Sequence, residues 1–322
     1  MSTVPQRVFD LVDQHLGKLE RSHEVAVPLA VARGSHAWGG AGPGSDYDVA
    51  FVFVPADLRR YAHLEEPTKT IVADRGEIEF EGVGVHRFAE LLADSNEGAI
   101  DLLRSPIRYR TAFDPEPLRA YLEVTYDPMD LYHDWRSIAA TNYRKYVSKH
   151  LVRDGEVYPL VADGDESGAG AESELEDGDA YVVHTDDGPR TVPADDERFS
   201  ETKTRRTVKR TLTIYRAAMY ARYLRTTGVR GDHDLPLCSF ERFLDDQAPA
   251  VFESDRVECA RDLLERKRAG EGDETIGDAV GREFAHPPRE IDPDIHARSG
   301  PDPARLDEFV DELIAASGID TN

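Results

Sequence analysis

Two carboxylates stand one residue apart, at Asp46 and Asp48, where a loop rich in Gly and Pro runs into the unbroken apolar stretch 49–54. A short apolar run of this kind reads as a buried strand. Alternate residues of a strand share a face, so both acids point the same way. Carboxylates held side by side repel unless a divalent cation lies between them, and Mg2+ prefers such oxygen ligands, with Mn2+ as a substitute. Four other Asp-x-Asp triplets occur, at 163/165, 177/179, 232/234 and 292/294. An acidic chain places such triplets on solvated surface, so it is the context of the first that singles it out.

That context includes Gly34-Ser35, at the end of another apolar run and eleven residues before Asp46. A glycine lets the backbone approach a phosphate closely, and the serine hydroxyl and nearby N–H groups can hold its oxygens. A third feature is basic. Residues 203–225 carry eight Lys and Arg and no acid. At helical spacing Val208, Leu212, Tyr215 and Met219 form an apolar stripe, and Arg205, Lys209 and Arg216 fall close together beside it. Facing the Asp pair, Lys209 and Arg216 would clamp a triphosphate; facing elsewhere, they would pair with neighbouring acids. Trp38 is a candidate for stacking on a base or for packing, and Asn96 for capping a helix.

The elements that must position these groups follow from the apolar pattern. Residues 5–20 have helical spacing, and 25–32 and 77–85 read as strands flanking the 49–54 run. Helical segments follow at 88–103. This alternation makes residues 1–125 an α+β unit. Residues 126–285 read as a helical domain, with helices expected at 130–151, 203–226, 240–244 and 257–268. Residues 286–322 form a C-terminal segment with a helix at 306–317. Within the helical domain, 154–197 holds fifteen acids and one base. It reads as a solvated, mobile insertion, with a hairpin at 180–184 and 190–192 as the exception.

The bulk numbers bound the partners. Among 322 residues, 63 acids against 39 bases leave a net charge of −24. That opposes general attraction to nucleic-acid phosphates or anionic lipid and suits a surface adapted to high salt. Cys238 and Cys259 are too few and too far apart for a disulfide framework or zinc site. With no signal-peptide pattern and no apolar stretch near ~20 residues, the expectation is a soluble, cytoplasmic chain without a membrane partner.

Strand, Gly-Ser, about ten residues, Asp-x-Asp and a second apolar strand resemble the signature of the DNA polymerase β nucleotidyltransferase superfamily. GSHAWGGAGPGSDYDVAFVFV, SNEGAIDLLRSPIRYR, YHDWRSIAATNYRKYV and VKRTLTIYRAAMYARYL further resemble successive blocks of the RNA-ligase-associated, YcgL-like nucleotidyltransferases. The resemblance implies a nucleotidyltransferase domain followed by a helical domain. It also implies Mg2+-dependent transfer of an NMP from an NTP to a hydroxyl acceptor, which RNA could supply. Asp46 and Asp48 would hold the metal, and Gly34 and Ser35 the phosphates. One departure stands out: where the family has a third acid on a strand, this chain has Gly84. Glu79 and Glu81 are the candidates to replace it, and Glu81, nearer to Gly84, is the expected one. The rival reading is a nucleotide-binding or interaction module that lost turnover with that acid.

Overall fold

The computed structural model describes residues 4–62, 64, 67–147, 150–154, 156–159, 180–185, 188–193, 196–201 and 205–319. Helix α1 (Gln6–His23) buries Val8, Val12, Leu16 and Leu19, the regular stripe that its spacing dictates. It stops at Glu24, which turns left-handed at φ 54° and donates its amide to the Glu20 carbonyl. The chain then enters a five-stranded mixed sheet of order β3-β4-β2-β1-β5. The strands are β1 (Val25–Ala32), β2 (Tyr47–Pro55), β3 (Thr70–Asp74), β4 (Ile78–Gly84) and β5 (Arg108–Thr111). β2 runs antiparallel to β1 and parallel to β4.

The sheet is covered on both faces, which is why β2 reads as continuous apolar sequence rather than as an alternation. On one face α1 packs over Val27, Phe51, Phe53 and Phe80. On the other, Leu29, Val52 and Val54 meet α3 (Val85–Ala93), α4 (Glu97–Arg104) and α5 (Glu116–Thr125). Between β1 and β2 lies the single short helix α2 (Gly34–Trp38).

The second core is helical. α6 (Pro128–Tyr146) packs along α7 (Val208–Val229), and α8 (Phe240–Arg242), α9 (Ser254–Arg266), α10 (Arg282–Ala285) and α11 (Pro293–His296) close around them. α7 is buried on most sides, so its apolar surface is wider than the four-residue stripe expected from spacing. Two helix expectations change here. α7 begins at Val208 rather than near 203. α6 ends at Tyr146, and the residues expected to extend it to 151 instead enter β6 (His150–Arg153). That strand pairs with β7 (Glu156–Pro159) and β10 (Ser200–Glu201).

The hairpin allowed within the acidic stretch is present as β8 (Ala180–Thr185) and β9 (Gly188–Pro193). Leu151, Val183 and Val192 share a small core with Tyr158 and Phe199. The ends of that stretch are therefore ordered by a few apolar residues, against the expectation of a wholly solvated insertion. Its most acidic part, 160–179, lies outside the described residues.

The last helix, α12 (Pro303–Ala316), does not join the helical core. It returns to the sheet, where Leu306, Phe309 and Leu313 fill the layer beside α3. Asp302 caps it by accepting from the Ala304 amide at 3.0 Å. Phe309 is 2% exposed. We expect Phe309→Ala to cost about 3–5 kcal/mol of stability, read as a lower urea midpoint with an unchanged slope. A midpoint equal to that of the parent chain would remove α12 from the core.

Candidate active site

A cleft of about 790 Å3 opens between the sheet and the helical core. Gly34, Ser35, Asp46, Asp48 and Glu79 line one side, and Lys209, Arg216 and Lys267 line the other. The sheet side is built at the turn from β1 into α2. The Arg33 amide donates to the Asp48 carbonyl at 2.8 Å, fixing the turn across the start of β2. Gly34 follows in the left-handed region at φ 59°, and a Cβ there would collide with the Asp48 carboxylate. Only glycine fulfils both conditions without strain. Ser35 lies in the first turn of α2, and its hydroxyl has no hydrogen-bond partner among the described residues.

Asp46 is exposed and Asp48 half-buried, two positions apart at the start of β2. Burial pushes the Asp48 carboxyl above the usual range, and the neighbouring charges of Glu79 and Asp46 push it further. Arg33 and Lys267 act in the opposite direction. A bound cation would relieve that repulsion. Among the described residues no three His, Cys, Asp or Glu side chains form a ready-made metal cage. The Asp pair instead fits the usual mode of Mg2+, which takes one or two carboxylates together with waters and substrate phosphates.

The two candidates for a third carboxylate stand differently in the sheet. β2 and β4 run parallel with Asp48 opposite Glu79 and Ala50 opposite Glu81. Glu79 therefore stands beside Asp48 and lines the cleft. Glu81, the expected residue, is one pair further along, about 7 Å away, and forms an ion pair with Arg33 instead. The Gly84 question also resolves. Gly84 lies opposite Phe53, five residues beyond Glu79 and so about 17 Å along the strand. A Cβ there would meet the Phe53 ring at 3.3 Å and the Thr68 carbonyl at 3.4 Å. An acid at that position could not reach the Asp pair.

Across the cleft, Lys209 is half-exposed and pairs with Asp273 at 2.6 Å. Lys267, which sequence reasoning missed, comes from the end of α9. There the chain leaves the helix through a π turn (Lys267–Glu271), with Gly270 left-handed at φ 95°. The Lys267 ammonium donates to the Gly40 carbonyl at 2.7 Å. Burial lowers its pKa, the nearby Lys209 lowers it further, and Asp48 opposes both. Its neighbour Arg268 donates to the Gly39 carbonyl at 2.8 Å and holds Glu241 through two contacts of 2.8 and 3.1 Å. The helical core thus clamps the glycine loop that leads to Asp46. A Cβ at Gly42 would collide with the Lys267 carbonyl, so this loop must be glycine-rich to be held.

Arg216 lines the same cleft, but seven residues carry it about 10 Å along α7 from Lys209. Its guanidinium lies 4.9–5.4 Å from the rings of Trp38, Trp135 and Tyr220, and its carboxylate neighbour is Asp101 at 3.8 Å. Arg205 does not line the cleft. His36 stacks on Tyr47 at 4.6 Å, and Trp38 packs edge-on against Phe240 at 6.3 Å while also lining the cleft. Asn96 caps α4 as expected, accepting from the Gly98 and Ala99 amides at 3.1 and 3.3 Å.

The RNA repair pathway DNA polymerase beta family, RlaP, matches residues 9–311. YcgL of Bacillus subtilis (strain 168), described as an uncharacterized protein, is 29% identical over 150 residues. That alignment covers 46% of this chain and 56% of YcgL, little more than half of the relative's length. No solved structure matches. The chain belongs to the RNA repair pathway DNA polymerase beta family.

The strained ionisation of Asp48 has a measurable consequence. A carboxyl whose folded pKa is raised binds protons more readily folded than unfolded. Its charge therefore costs stability above the folded pKa, and that cost fades as pH falls toward the unfolded value. Asp48→Asn should then raise the melting temperature at pH 7 without divalent metal, with the gain shrinking toward pH 4. A lower melting temperature in Asp48→Asn would contradict this reading of the site.

Proposed function

From that membership, we propose that the chain is a nucleotidyltransferase that moves an NMP from an NTP to a hydroxyl acceptor. The observation that carries this reading is the cleft itself. Asp46 and Asp48 face the partner-free Ser35 hydroxyl and the Lys209 and Lys267 ammoniums, within a volume ample for a nucleotide. Gly34 and Ser35 receive the terminal phosphates by close backbone approach and by the free hydroxyl. Lys209 and Lys267 neutralise them from the opposite wall. The attacking hydroxyl oxygen forms a bond to the α-phosphorus, the bond to the bridging oxygen breaks, and pyrophosphate departs. Glu79, beside Asp48 and open to solvent, receives the proton of the attacking hydroxyl.

Mg2+, which Asp46 and Asp48 would hold, supplies charge neutralisation at the phosphates. The family description supports an RNA end as the acceptor.

Incubating the full chain with labelled NTPs, Mg2+ or Mn2+ and RNA should transfer label to RNA, and Asp46→Asn with Asp48→Asn should abolish transfer. Nucleotide binding without any transfer to RNA, protein or small hydroxyl compounds would favour the non-catalytic rival. Each charged contact to phosphate contributes about 1.5–3 kcal/mol. Lys267→Ala should therefore weaken NTP binding by roughly ten-fold or more and NMP binding much less. Equal losses for both ligands would make Lys267 a clamp of the glycine loop and nothing else.

A further inference from the structure

Beyond the carboxylate pair, the same cleft extends between α4, α6 and α7. Glu97 and Asp101 of α4 line it one turn apart, with Trp135 and Ile138 of α6 and Arg216 of α7. The charges that act on Asp48 are Glu79, Arg33, Asp46 and Lys267, whereas those that act on Glu97 are Asp101, Arg216, Arg33 and Asp134.

Two groups here lack hydrogen-bond partners among the described residues. Glu97 is half-buried and lines the cleft, and its carboxylate accepts no hydrogen bond from any described residue. Arg216 has Nε and Nη1 buried without a hydrogen-bond acceptor, which leaves Nη2 as the nitrogen that meets the cleft. Asp101, at 3.8 Å, is beyond hydrogen-bond reach. The positions are rigid. The Asp134 carboxylate accepts from Asn96 at 2.9 Å and from the Glu97 amide at 3.1 Å, which fixes the start of α4. Three aromatic rings surround the Arg216 guanidinium.

Polar groups that line a cleft without protein hydrogen-bond partners are open to a ligand there. A carboxylate and a guanidinium in one part of the cleft ask for a ligand edge with donors next to an acceptor. Among the common nucleobases, guanine alone presents two adjacent donors, N1–H and the 2-amino group, to match one carboxylate, with the carbonyl O6 beside them. Arginine is also the usual donor to guanine O6. Adenine has no carbonyl, and cytosine and uracil each present a single donor position.

Building on the proposed nucleotidyl transfer, we infer that this part of the cleft is a nucleobase subsite selecting guanine, so that GTP is the preferred nucleotide donor. Glu97 accepts from N1–H and the 2-amino group, and Arg216 donates to O6. Arg216 then serves the base, leaving the triphosphate to Lys209 and Lys267. Burial, and next the charge of Asp101, push the Glu97 carboxyl up to about 7. The carboxylate is the form that accepts both hydrogen bonds, so guanine preference should grow as pH rises through neutrality.

The test is calorimetric titration of the full chain with GTP, ITP, ATP, CTP and UTP in the presence of Mn2+. GTP should bind at least ten-fold more tightly than ATP. ITP, which lacks the 2-amino group, should fall between them, a result that needs no variant. Glu97→Gln should bring GTP affinity down to that of ATP and leave ATP affinity unchanged. Equal affinity for all NTPs, preference for another base, or equal loss of GTP and ATP in Glu97→Gln would overturn the guanine subsite while leaving nucleotidyl transfer standing. Failure to bind any NTP would overturn both.

Discussion

The site depends on one close passage. Where β1 ends, the backbone turns across the first residues of β2, with the Arg33 amide tied to the Asp48 carbonyl at 2.8 Å. Gly34 lies so near the Asp48 carboxylate that no side chain fits between them. Ser35 thus faces the same cleft as both Asp residues because of a steric limit. The antiparallel pairing of β1 with β2 then keeps the turn in register with the acids. The apolar faces of β2, packed by α1 on one side and by α3 to α5 on the other, hold that strand rigid.

Electrostatics sets the second constraint. A chain of net charge −24 repels an anionic nucleotide at long range, and its own acids crowd the cleft. Binding must therefore rest on cations concentrated locally. Lys209 comes from α7 and Lys267 from the π turn after α9, so both belong to the helical core, while the carboxylates belong to the sheet. Neither half of the site is complete alone. Lys267 and Arg268 also hold the carbonyls of Gly40 and Gly39, which couples the position of a phosphate-facing cation to the loop that carries Asp46.

How much of this was legible in the sequence depends on the range of each interaction. The β1 strand, the Gly-Ser turn and the Asp pair are local, and residue type with spacing was enough to find them. The choice between Glu79 and Glu81 was not legible, because a parallel register between β2 and β4 leaves no mark in either strand's alternation. Lys267 was hidden for a related reason: its role comes from a helix end meeting a glycine loop more than two hundred residues earlier. Glu97 and Asp101 read as ordinary residues of an amphipathic helix until α7 places Arg216 opposite them. The end of α6 was misjudged because 147–151 carries no Gly or Pro, and its strand pairing is set by partners further along the chain.

The register of β4 also bears on whether the fold retains turnover. The case for a non-catalytic module rested on Gly84 standing where the family has an acid. β4 runs parallel to β2, so the end of β4 nearest the Asp pair is its beginning, and Gly84 is its last residue. There it packs against Phe53, at the end of the strand away from the Asp pair. An added carboxylate at that depth would be buried without a counter-charge, at a cost of several kcal/mol. A Cβ at 84 would press on the Phe53 ring and the Thr68 carbonyl, closer than ordinary contact. Glu79, adjacent to Asp48, lies at the other end of the same strand and lines the cleft.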